Sequence, residues 1–132
     1  MSLKSIINIL KKESEGLSEE SLINFEKEIN WQFPKEYRDI IKEIDGGYGE
    51  VNNNYIEFWC INDIAFYIDE VDDSDEMILF ASDGCGVAFA FDKNSCEVLS
   101  IPMDCIERSY AKKIANNFSD FIVLLQSQKL EY

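Results

Sequence analysis

The stretch "FASDGCGVAFAFDKN", residues 80–94, decides how the chain folds. Aspartate, two glycines and a cysteine between apolar runs suit either a ligand loop or the tight corner of a β-hairpin. A phosphate-binding loop needs a lysine after its glycines and a helix behind them. Here "DGCG" leads into "VAFAF", an apolar strand pattern. A calcium loop needs oxygen ligands at alternate positions, glycine at the sixth place and glutamate at the twelfth. Counted from Asp69, those places hold Ser74 and Phe80; counted from Asp92, they hold Glu97 and Met103. Neither register is a calcium loop. Gly84 and Gly86 are therefore expected to supply positive φ in a hairpin joining "MILFAS" to "VAFAFD".

Working outward, "YIEFW" alternates, with Tyr55 and Glu57 on one face and Ile56 and Phe58 on the other. "CEVLSI" supplies a further strand after the turn "DKNS". Before this block the period is helical. Ser18 followed by Glu19 and Glu20 marks a helix start, with Leu22, Phe25 and Ile29 on one face. Pro34 opens a second helix carrying Tyr37, Ile40, Ile41 and Ile44, and Gly46–Gly47 stops it. "INDIAFYI" fits a short helix or an irregular strand. Ile114, Phe118, Phe121, Ile122 and Leu125 share a face of a last helix, with Asn117 or Ser119 as its cap. The order predicts one α+β domain over residues 1–132, its core spanning 18–128. Its antiparallel sheet has about four to six strands, with N-terminal helices and a C-terminal helix packed against it.

Composition narrows the chemistry. A hydrophobic fraction of 46% supports a packed globule rather than a disordered chain. The N-terminus lacks a signal-peptide pattern, and no apolar run is long enough to span a bilayer, so a cytoplasmic location is expected. Cys60, Cys85, Cys96 and Cys105 form no Cys-x-x-Cys pair; they are expected as reduced, mostly buried thiols. Histidine is absent, which removes imidazole acid–base catalysis, histidine-bound zinc and the Ser-His-Asp triad. No cofactor or metal signature is present. A hydrolase using paired carboxylates would have to find its pair among 26 acidic residues, none marked by its surroundings. Trp31, Trp59 and Tyr55 serve equally well as core or interface groups as for sugar platforms. The net charge of −14 repels nucleic-acid phosphates and anionic membranes, so neither is expected as a direct partner. It favours a cationic protein instead. The run "DEVDDSDE", residues 69–76, is a solvated acidic loop or a partner-binding patch, the second reading supported by its aromatic neighbours Phe66 and Tyr67.

Four elements in order resemble the SUKH superfamily, which includes fungal cell-wall assembly regulators and bacterial immunity proteins. The first is the proline–aromatic helix with Pro34 and Tyr37, and the second its Asp45-Gly46-Gly47 turn. The hairpin carrying Asp83, Gly84 and Gly86 follows, then the final helix opening with Phe118 and Phe121. Asp45 departs from the asparagine often found before the glycine pair, and Cys85 from a small or polar residue. The resemblance implies helices on an antiparallel sheet, no catalysis, and direct binding of a cognate toxin domain. A basic nuclease is the expected toxin, because nucleases must hold phosphate. The alternative is a regulatory scaffold that binds an endogenous cellular protein. The matched residues themselves are expected as caps, turns and core anchors. The partner surface is expected at Asp45, Tyr48, Glu50 and Tyr55, with Asp69, Asp72, Asp73, Asp75 and Glu76.

Overall fold

A computed structural model describes residues 3–127 and Leu130. Its centre is one antiparallel sheet with the strands in chain order. They are β1 (Lys11–Lys12), β2 (Gly47–Val51), β3 (Asn54–Phe58), β4 (Met77–Ser82), β5 (Val87–Asp92), β6 (Val98–Pro102) and β7 (Lys112–Ala115). Helices α1 (Leu3–Ile9), α2 (Glu19–Ile29) and α3 (Lys35–Ile41) come first, α4 (Ile61–Glu70) links β3 to β4, and α5 (Phe118–Ser127) comes last.

The caps explain where the helices begin and end. The Ser18 side chain accepts the Ser21 N–H at 3.1 Å, and Asn30 takes φ 53° to leave α2. Asn117 Oδ1 accepts the Asp120 N–H at 2.8 Å and starts α5. The "INDIAFYI" segment resolves into α4, whose Tyr67 ring stacks on Trp59 at 4.7 Å.

The sheet is larger than expected because short edge segments join it. β1 holds only two residues against β2. Ile114, expected on the last helix, lies in β7 instead, which pairs with β6 through Val98↔Ala115 and Leu99↔Lys113. Its spacing from Phe118 suits a helix. The Asn117 cap nevertheless starts α5 later, and the open edge of β6 takes the residues before it. The thiols also differ from expectation: Cys85 is exposed and the other three are half-buried.

Strand alternation divides the sheet into two faces. One carries Phe89 and Phe91 and meets α3 and α5 through Tyr37–Phe91 at 5.4 Å and Phe89–Phe121 at 5.1 Å. Phe80 and Phe91 stack at 4.2 Å in the middle of this layer. On the other face, Leu79, Ala88, Ala90, Leu99 and Ile101 are buried beneath the crossing segment 103–111. Arg108 ties that segment down, its N–H donating to Asp73 Oδ2 at 2.7 Å and its guanidinium to Asp92 Oδ2 at 2.9 Å. The crossing reaches only the β4–β6 half of the sheet. Among the described residues, nothing comparable crosses the outer side of β2 and β3, where Glu50 and Tyr55 are exposed and Tyr48 and Glu57 half-buried.

Candidate functional site: an open carboxylate–tyrosine face

Register places four side chains on the open face. Tyr48 opposes Glu57 and Glu50 opposes Tyr55, so tyrosines and carboxylates alternate across the two strands. Tyr55 is 39% exposed, while Ile56 and Phe58 on the opposite side of the same strand are buried. The Tyr55 hydroxyl donates to Glu57 Oε1 at 2.9 Å, and the Ser82 hydroxyl donates to Glu57 Oε2 at 3.3 Å. Burial, with the Glu57 hydrogen bond and the nearby Tyr48, raises the Tyr55 hydroxyl above its ordinary pKa. Lys11, from β1, sets its Nζ 5.9 Å from the centre of the Tyr48 ring.

The hairpin corner of residues 80–94 supports this face. Asp83 Oδ1 accepts the N–H groups of Cys85 at 2.8 Å and Val87 at 3.0 Å, closing the turn. Gly84 has φ 71°, and a Cβ built on it would lie 2.8 Å from the Tyr55 ring. The glycine thus meets two demands, a left-handed backbone and an aromatic neighbour. Gly84→Ala is expected to cost about 1–2 kcal/mol in denaturant unfolding. In a Tyr55→Ala background the cost should fall, because only the backbone strain remains.

Beside the face lies a second group of acids. Asp45, 9% exposed, accepts the Ile61 N–H at the start of α4 at 2.8 Å. The Cys60 thiol donates to Asp63 Oδ2 at 3.4 Å. Ligand atoms of Glu13, Cys60 and Asp63 lie within 4.8 Å of one another, a spacing that could hold a metal ion. The positive end of α4 offers a plainer reason for carboxylates to gather there. Burial first, and their mutual repulsion after it, push these groups above their ordinary pKa values. Burial, then Asp63, Glu57 and Asp45, raise Glu13; burial raises Asp45, opposed by the Ile61 N–H and helped by Asp63. Burial foremost, with Asp63 and Asp45 adding to it, raises the Cys60 thiol. Among the described residues, none of Glu13, Asp45, Glu50, Glu57 and Asp63 forms an ion pair. Elsewhere Glu19, Glu26 and Asp92 are matched by Arg38, Lys42 or Arg108.

The raised pKa of Asp45 has a consequence for stability. A carboxyl whose folded pKa exceeds its unfolded value loses stability as pH rises through that interval. Asp45→Asn keeps an acceptor for Ile61 and removes the charge. It is expected to stabilise at pH 7 by about 0.5 kcal/mol. The gain should vanish below the unfolded aspartate pKa of about 3.9. Paired urea titrations at pH 7 and pH 3.5 measure the difference.

The residues expected from sequence fall into separate places. Tyr48, Glu50 and Tyr55 share the open face, and Asp45 borders it through Glu13. Asp69, Asp72, Asp73, Asp75 and Glu76 lie at the other end of β4. Glu57 opposes Ser82, so the start of β4 at Met77 is about 17 Å further along the sheet. Within that loop Asp73 is half-buried and engaged by Arg108, while Asp72, Asp75 and Glu76 are exposed. Glu13, Glu57 and Asp63 were not among the residues expected for the site. Alternation with Tyr55 could have pointed to Glu57. Glu13 and Asp63 arrive from distant segments and carry no local signal.

The motif residues hold the frame. Tyr37, Phe118 and Phe121 are buried, Pro34 precedes α3, Gly46 turns at φ 88°, and Gly47 begins β2. No helix among the described residues is long and apolar enough to cross a membrane. No curated protein matches the sequence. The family described as SMI1 / KNR4 family (SUKH-1) matches residues 16–123. That span runs from the approach to α2 into α5 and takes in all the motif residues, so the chain belongs to the SMI1 / KNR4 family (SUKH-1).

Proposed function

We propose that the chain is an immunity protein that neutralises a cognate polymorphic toxin, a basic nuclease, by direct binding in the cytoplasm. The observation that carries this role is the open face on which tyrosines stand among carboxylates that have no cation of their own among the described residues. Such a surface is costly for an isolated protein, since like charges repel across it. It gains when a positively charged surface docks. Family membership supports a protein partner. The net charge of −14 supports a cationic one.

The mechanism follows from the groups present. Negative potential speeds the encounter with a basic domain and orients it. Tyr48 and Tyr55 then supply aromatic area with few rotatable bonds, while the Tyr55 hydroxyl remains paired with Glu57. A toxin held this way has its phosphate-binding surface covered. No group of the chain needs to perform chemistry, and no cofactor enters.

Co-expression with the cognate toxin domain tests the role. Cells carrying both are expected to survive, and the two proteins to co-purify as a complex. Undiminished killing, with no complex on mixing the purified proteins, overturns the immunity role and leaves the regulatory scaffold.

A further inference from the structure

We propose, resting on the binding role above, that the Tyr48–Glu50–Tyr55–Glu57 face receives an arginine side chain from an exposed basic segment of its protein partner. Three observations lead there. First, the four groups share one face, on which Glu50 and Tyr55 are exposed, with the carboxylates diagonal to each other and the rings between them. A guanidinium can lie flat on a tyrosine while its edge meets a carboxylate. Second, Glu57 is already oriented. Its two oxygens accept from the Tyr55 and Ser82 hydroxyls at 2.9 Å and 3.3 Å, both neutral donors. A carboxylate has about four lone-pair sites, so this arrangement leaves acceptors for a forked donor. Third, the face already holds a cation of its own chain. Lys11 Nζ stands 5.9 Å from the Tyr48 ring centre, while Tyr55 and Glu57 have no such neighbour among the described residues.

Arginine fits better than lysine for a geometric reason. An ammonium is a compact, strongly hydrated charge and cannot both stack and fork. The guanidinium is planar, weakly hydrated and always charged. The acidic loop 69–76 carries more carboxylates, and the exposed ring of Phe66 lies one helical turn before Asp69 and Glu70, but Phe66 has no hydroxyl to orient a carboxylate and Asp73 is already engaged by Arg108. Charge alone would favour the loop; a carboxylate hydrogen-bonded to a ring hydroxyl favours the sheet.

The test needs no toxin. The isotope-labelled full-length chain is titrated with the peptide acetyl-Gly-Arg-Gly-Arg-Gly-amide, and amide shifts are followed by NMR. Matched peptides carry lysine or uncharged citrulline in place of arginine. The arginine peptide is expected to perturb Tyr48, Glu50, Tyr55 and Glu57 above all others. It should bind at least about threefold more tightly than the lysine peptide, and the citrulline peptide should leave the face unperturbed. Glu50→Gln with Glu57→Gln should weaken it about tenfold, whereas Asp72→Asn with Asp75→Asn, the same change in charge, should stay within about twofold. A native-like spectrum of each variant establishes that it is folded. Perturbations centred on 69–76, scattered over the surface, or weakened equally by both double variants overturn the proposal. The two roles can fail separately. Arginine binding here without any toxin complex removes the immunity role alone. A toxin complex that leaves this face unperturbed removes the arginine site alone.

Discussion

Phe80→Ala is expected to destabilise the protein by about 3–5 kcal/mol, the range for removing a fully buried phenylalanine. Phe80 is inaccessible to solvent and stands where the β4–β5 register slips between Leu79 and Ala81. Its ring meets Tyr37 at 5.5 Å, Phe58 at 6.4 Å, Phe91 at 4.2 Å, Phe118 at 5.9 Å and Phe121 at 6.0 Å. These neighbours come from α3, β3, β5 and α5, so the vacancy cannot close by moving one element. A domain of this size has a total stability of about 5–15 kcal/mol, which makes the loss a large share. Urea unfolding followed by tryptophan fluorescence measures it. Val123→Ala, on the same layer's outer helix but 56% exposed, should change stability by no more than about 0.5 kcal/mol.

Arg38→Ala should have a comparable effect, about 3–5 kcal/mol, for an electrostatic reason. Glu26 is only 8% exposed; it accepts the Phe33 N–H at 2.8 Å and two guanidinium nitrogens of Arg38 at 3.1–3.2 Å. The hydrogen bond to Glu26, stronger than the opposing effect of burial, raises the Arg38 pKa further. Truncating the arginine leaves a buried carboxylate with one backbone donor. Adding Glu26→Gln should then recover about 1 kcal/mol or more, since a neutral amide is cheaper to bury than an unmatched charge. The exposed pair Lys35–Asp39, at 3.4 Å, provides the contrast: Lys35→Ala should cost no more than about 0.5 kcal/mol. Chemical denaturation of the three variants separates a buried ion pair from a surface one.

The fold was legible where local signals and tertiary packing agree. Ser18, Asn117 and the glycines at 84 and 86 act through their own backbone, so the residue types alone announce helix starts and the hairpin. Ile114 shows the limit. Its helical spacing was real, but the unfilled edge of β6 claimed it, and edge pairing is a property of the whole sheet. Cys60 shows another: its apolar neighbours suggest burial, yet it stands at the start of α4 beside Asp63. The candidate site was legible only along single strands. Tyr48, Glu50 and Tyr55 belong to one hairpin and follow from alternation. Glu13 and Asp63 reach Asp45 from opposite sides of the sequence, and nothing in their own segments announces it. The acidic loop at 69–76 drew attention through charge density and its neighbours Phe66 and Tyr67, but Tyr67 stacks on Trp59 instead of standing over the loop's carboxylates.

The most direct test of the binding role is calorimetric titration of the purified toxin domain with this chain at low and moderate salt. A 1:1 complex is expected, with an affinity that falls at least about tenfold between 50 and 300 mM salt. Absence of binding, or an affinity indifferent to salt, would contradict the binding role.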